Sequence, residues 1–136
     1  MMKIECLKVC ETKGPKISNA ADIADSLSGF AASSQEMIFV VTLDQKNTII
    51  DTHMVTMGTL NQCLVHPRET FRHAIADGAA RIVLAHNHPS GDVTPSAEDD
   101  TITKRFTEAG ILLGIPLIDH IIIGDGYYSY LDEERL

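Results

Sequence analysis

The chain has 136 residues, 44 % hydrophobic, 22 % charged and 5 % aromatic, values that suit one globular domain able to bury about two-thirds of its unfolded surface without a staple. A metal bound to such a chain is expected to serve chemistry rather than folding. Eleven Lys and Arg face nineteen Asp and Glu, for a formal net charge of −8, which disfavours direct DNA binding because duplex contact needs clustered cations.

The first residues, Met1 to Lys8, scatter charges among apolar side chains, unlike the uninterrupted core of a secretory signal. Cys6, Cys10 and Cys63 form no C-x-x-C pair and read as reduced, structural cysteines. From Ser18-Asn19, apolar residues at Ala20, Ile23, Ala24, Leu27, Phe30 and Ala31 share a helical face, so one helix is expected across this span with a Ser or Asn cap. Met37 to Asp44 is apolar and rich in β-branched residues, Gln45-Lys46-Asn47 offers a turn, and Thr48 to Met57 is extended again, together a β-hairpin.

Pro67 suits a first helical position, and Phe71, Ala74, Ile75 and Gly78 share a face, which predicts a second helix over 67–78. Arg81 to His86 is a short apolar run of the kind covered on both sides in a central strand. Pro89-Ser-Gly-Asp92 turns the chain. Ser96 then heads a third helix with Ile102, Phe106 and Ala109 on one side and Gly110 as its expected stop. The stretch 110–118 is the longest apolar one, but Pro116 breaks it and it falls short of the ~20 residues of a spanning helix. A strand over 116–123, a turn at Gly124-Asp-Gly126 and a last edge strand over 127–130 complete the pattern. Interleaved helices and strands imply an α/β fold with a mixed sheet flanked by helices.

Chemistry concentrates in His86-Asn-His88-Pro-Ser-Gly-Asp-Val-Thr-Pro-Ser96-Ala-Glu-Asp99. Residues two apart on a strand face one side, so His86 and His88 converge at the carboxyl end of a buried strand. Neutral imidazoles suit zinc, and a catalytic zinc takes three protein ligands with a fourth position open. Asp99, in the first turn of a helix capped by Ser96, is the preferred third ligand, with Asp92, Glu98 and Asp100 physically possible. Ser96 and Asp99 also read simply as a capping box. A base for the water is still required, and Glu36 is one candidate beside Glu5, Glu11 and Glu69.

Those residues, with Gly58-Thr59, Val65-His-Pro-Arg-Glu69, Asp119-His-Ile-Ile-Ile-Gly124 and Tyr128-Ser129, resemble the RadC family, a bacterial branch of the JAMM (MPN) metalloprotease-like domains. The likeness runs over about 33–131, so the chain is expected to be a single JAMM/MPN domain, 1–136. It implies a cytidine-deaminase-like architecture and one Zn2+ per chain held by His86, His88 and Asp99. It also implies Glu36 as general acid/base and Ser96 as a group that stabilises an oxyanion. Longer members carry an amino-terminal helix-hairpin-helix region for which this chain has no room. The zinc deaminase signature is absent.

The expectation is a cytoplasmic zinc hydrolase in which metal-bound water attacks an amide carbonyl of a protein or peptide substrate. The rival readings are a non-catalytic binding or scaffold module in DNA repair or processing, and a phosphodiesterase with two bridged metals. His66 and His120 could orient a ligand imidazole but read more simply as hydrogen-bonded framework, with His66 capping the second helix. Lys104 and Arg105 read as an exposed helical face, Tyr127, Tyr128 and Tyr130 as packing for the last strand, and His53 and His73 carry no readable role.

Overall fold

The computed structural model describes residues 14–58 and 65–136; Cys6, Cys10, Cys63, Glu5 and Glu11 lie outside them. Five strands form one sheet: β1 (Glu36–Leu43), β2 (Ile49–Gly58), β3 (Arg81–Asn87), β4 (Leu117–Gly124) and β5 (Gly126–Ser129), in the order β2-β1-β3-β4-β5. Only the β3–β4 pair is parallel, as its helical crossover requires. The sheet is therefore mixed. Among the described residues three α-helices flank it, α1 (Ala20–Ser26), α2 (Pro67–Asp77) and α3 (Ala97–Leu113).

Alternation along the two central strands sorts their side chains into two apolar layers. Met37, Phe39 and Val41 of β1 and Val83 and Ala85 of β3 pack against Ile23, Ala24 and Leu27 of the α1 region. Ile38, Val40, Ile82 and Leu84 face the other way, onto Phe71 and Ala74 of α2 and Ile102 and Phe106 of α3. Both faces of β3 are thus covered, which is why its sequence is almost continuously apolar. No helix among the described residues is long and apolar enough to cross a membrane.

The expected elements are present, with three corrections. The first helix stops at Ser26 instead of running to Ala31: Ser26 and Ser28 hydroxyls donate to the Ile23 and Asp25 carbonyls, and a short 3-10 turn over Ser28–Phe30 follows. Local hydroxyl bonds of this kind compete with the next helical turn. Phe30 is consequently half out of the core, at 40 % exposure. Gly110 does not end α3, which continues to Leu113 and closes at Gly114 with φ 72°. Gly110 is needed for another reason, because a Cβ there would come within 2.7 Å of the Ile115 carbonyl as the chain folds back. In α2, capped by Gly78 as expected, Ile75 is exposed and Thr70 is buried in its stead.

Phe106 is fully buried, with its ring centroid 6.1 Å from that of Phe71, and it joins α3 to α2. Phe106→Ala should cost about 3–5 kcal/mol, read as a lower midpoint in urea unfolding with an unchanged slope.

Candidate metal centre

His86 occupies an even position of β3 and so points to the α2–α3 face, where it pairs across the ladder with Ile38. The strand ends at Asn87, yet the His88 N–H still donates to the Ile123 carbonyl (2.9 Å), which holds the second imidazole over the strand end. The loop that follows is pressed against the β4–β5 turn. Gly91 has φ 87° and its carbonyl accepts from the Asp125 N–H at 2.8 Å; a Cβ at Gly91 would lie 2.7 Å from Asp125 Oδ2, and one at Gly124 would lie 2.6 Å from Gly91 O. Two glycines are required for that approach.

The loop then delivers Ser96 to the start of α3. Its Oγ accepts from the Asp99 N–H (3.1 Å) while its own N–H donates to Asp99 Oδ2 (2.8 Å), a reciprocal capping box. The capping and ligand readings of Asp99 are therefore compatible: the cap turns the carboxylate back toward the strand end. His86 Nε2 and His88 Nε2 stand 3.0 Å apart, Asp99 Oδ1 is 3.1 Å from the first and Oδ2 is 3.1 Å from the second.

This donor set fits a metal ion. Asp99 is completely buried, and its Oδ1 has no hydrogen-bond partner, the contact with His86 lacking the alignment of one. A tetrahedral ion with ligands at about 2.0–2.1 Å sets neighbouring ligand atoms about 3.3 Å apart, a few tenths of an ångström from what is seen. Burial disfavours the charged form of Asp99, but the two imidazoles and the Ser96 N–H outweigh it and hold the carboxyl well below its usual range. The Asp99 hydrogen bond in turn raises the His88 pKa, against burial.

Hydrogen bonds behind the rings decide which nitrogens are bare. His88 Nδ1 lies 2.7 Å from the Asp92 carbonyl. A carbonyl only accepts, so in neutral His88 the proton sits on Nδ1 and the Nε2 lone pair faces the site. For His86 the same result is relayed through two residues. The Thr103 hydroxyl donates to the Asp99 carbonyl (2.8 Å), His120 Nδ1 lies 2.6 Å from Thr103 Oγ1, and His120 Nε2 lies 2.8 Å from His86 Nδ1. With the hydroxyl proton committed, His120 must donate to Thr103 and accept from His86, which bares His86 Nε2. Complete burial, and next the adjacent His86, push the His120 pKa far down, so the ring is uncharged as the relay requires.

His66 and His120 thus have different roles. His66 caps α2, accepting from the Arg68 N–H at 3.1 Å, whereas His120, read from sequence as framework, touches a candidate ligand directly. Tyr130 stacks on His120 with centroids 5.1 Å apart and planes at 7°, and its hydroxyl donates to Asp100 (2.6 Å). Of the other acids beside the motif, Asp100 is engaged by Tyr130 and Arg135, Asp92 accepts from Thr94, and Glu98 is exposed.

Glu36 opens β1 two residues before Ile38, on the face that carries His86, and its charge adds to the upward shift at His88. Glu69, its rival, sits on α2 beside Arg68 and Arg72. Asn87, between the histidines, faces the opposite way and holds the entry to β1: its side chain accepts from the Met37 N–H (2.7 Å) and donates to the Phe30 and Gln35 carbonyls (3.1 and 2.9 Å). Sequence reasoning passed over Asn87 and Thr103. A polar residue inside an apolar strand was the one available signal for Asn87, and Thr103 had none.

Comparison with known proteins finds matches over most of the chain. The profile of the RadC-like JAB domain matches residues 17–136. A UPF0758 protein of Rubrobacter xylanophilus is 48 % identical over 132 residues, covering 96 % of this chain and 58 % of the relative. One from Clostridium perfringens is 46 % identical over 130 residues, covering 95 % and 57 %, and one from Staphylococcus aureus is 46 % identical over 119 residues, covering 87 % and 52 %. The chain spans little more than half the length of these relatives, whose names state no activity.

His120→Ala should leave the three donors in place and still weaken the binding of an added divalent metal about 10–100-fold, measured by competition with a chromophoric chelator. Wild-type affinity in a folded variant would contradict the relay.

Proposed function

This chain belongs to the RadC-like JAB domain family, and we propose on that premise that it is a zinc-dependent hydrolase of amide bonds, peptide or isopeptide, in a protein or peptide substrate. The observation that carries the reading is the meeting of His86 Nε2, His88 Nε2 and Asp99 within 3.0–3.1 Å at the end of a buried strand. Two imidazoles and one carboxylate make up the ligand number of a catalytic zinc, with a fourth position left to water. A zinc ion held there would lower the pKa of water to about 7 and polarise a carbonyl.

The remaining work falls to the chain. Glu36, on the same face as His86 at the mouth of the site, takes the proton of the attacking water and passes it to the departing amine nitrogen. The C–O bond forms first, leaving an oxyanion on the former carbonyl oxygen, and its collapse breaks the C–N bond as the amine nitrogen takes the proton, giving a carboxylic acid and an amine. Ser96 is exposed and its oxygen already accepts from the Asp99 N–H, so its hydroxyl proton is the part that can donate to the oxyanion. His88 and His86 are kept in the ligating tautomer by Asp92 and His120.

Metal content and turnover test this separately. Asp99→Ala should lose most bound zinc. Glu36→Gln should keep the zinc at His86, His88 and Asp99 and lose about 100- to 10,000-fold in turnover, followed on a panel of peptide and isopeptide substrates. If zinc is absent from the purified wild type and cannot be added back, the hydrolase reading fails. Equal turnover for wild type and Glu36→Gln would remove Glu36 from the mechanism.

A further inference from the structure

A second group of donors lies on β2 and α2, away from the strand end that carries His86. Val40 pairs with His53 and Thr42 with Asp51 across the β1–β2 ladder, so both β2 side chains share the face covered by α2. Asp77, in the last turn of α2, reaches down to them. Its Oδ2 is 2.7 Å from His53 Nε2 and 2.7 Å from Thr42 Oγ1, and Asp51 Oδ2 is 3.8 Å from the same imidazole nitrogen. One ligand atom from each of Asp51, His53 and Asp77 lies within 4.8 Å of the others.

We propose that Asp51, His53 and Asp77 form a second divalent-metal site, of the zinc class, that ties edge strand β2 to α2. Two carboxylates converge on one imidazole nitrogen in a chain of net charge −8, and among the described residues neither carboxylate has a Lys or Arg partner. One imidazole with two carboxylates is a donor set for zinc and its first-row neighbours. The site is partly built in advance. Thr42 holds Asp77 and also accepts from the Asp51 N–H at 3.1 Å. His73, one helical turn before Asp77, stacks on His53 with centroids 4.2 Å apart and planes at 20°, which fixes the imidazole plane. The Asp51 side chain is 59 % exposed and has room to swing in, while the 2.7 Å His53–Asp77 hydrogen bond opens, both moving toward the separation of about 3.3 Å expected between neighbouring ligands. Remaining coordination positions face solvent, so affinity is lower than at the buried centre.

Zinc added to the metal-free full chain, with binding followed by equilibrium dialysis, tests the site. Wild type should take up two ions, and Asp51→Asn or His53→Asn should weaken one of them at least tenfold. His88→Ala should keep the β2–α2 ion, and excess zinc should raise its melting temperature, an effect lost in His53→Asn/His88→Ala. Asp51 is exposed, so Asp51→Asn stays folded even if His53→Asn does not. A single ion in wild type that Asp51→Asn and His53→Asn leave untouched overturns the proposal, as does a second ion insensitive to both. A single ion that is lost in His53→Asn but kept in His88→Ala supports this site and sinks the hydrolase reading.

Discussion

A buried carboxylate at the foot of α3 is the constraint from which the rest of the site follows. Removing an ionised acid from water is costly unless opposite charge and hydrogen bonds replace the solvent. Asp99 has no exposure, one oxygen without a hydrogen-bond partner, and two imidazoles at 3.1 Å. Its position at the start of a helix supplies a partial positive charge, and Ser96 supplies one N–H. Together with the imidazoles these outweigh the cost and hold the carboxyl well below its usual range, yet Oδ1 is still left without a hydrogen bond. A cation shared with His86 and His88 is the natural remaining partner, so the demands of folding and those of metal binding act on the same atoms.

The scaffold spends its polar groups on keeping those atoms aimed. Thr103 and His120 set the tautomer of His86 from behind, the Asp92 carbonyl sets that of His88, and Asn87 uses its opposite orientation to hold the mouth of β1, where Glu36 stands. Support extends outward through Tyr130, stacked on His120, to Arg135, whose guanidinium lies 5.2 Å from the Tyr130 ring centroid and 2.8 Å from Asp100. Buried Asp119 keeps this last segment in place by accepting from Ser129, Leu131 and the His120 N–H. The terminal residues are therefore part of the support of a candidate ligand that lies far away in sequence. Losing such an outer contact typically costs a metal site about 10–100-fold in affinity or activity.

Within the RadC-like JAB domain family, the described chain contributes the sheet, the donors and their supports, while its relatives are longer by a large margin. The sheet edges differ in character. β5 is short and is followed by the supporting turn, whereas β2 is long and is joined to α2 by the His53–Asp77 contact. An edge strand fastened by side chains is less available for pairing with another chain.

By itself the sequence determined the order and type of the elements, since apolar period and turn residues are local signals, and it determined the pairing of His86 with His88, because strand alternation is a property of the backbone. It also singled out Asp99, through a cap that is read from four consecutive residues. Tertiary structure decided what depends on separations no local pattern encodes. Gly110 proved to be a close-packing residue rather than a helix stop, because the chain folds back onto it after Gly114. Ile75 has the spacing of a core residue and yet faces outward, because the sheet beneath α2 takes Thr70, Phe71 and Ala74. His120, 34 residues from His86, became its hydrogen-bond partner only because β3 and β4 run parallel side by side. Long-range pairing of polar groups is set by topology, and topology is the part of the physics that a linear reading sees last.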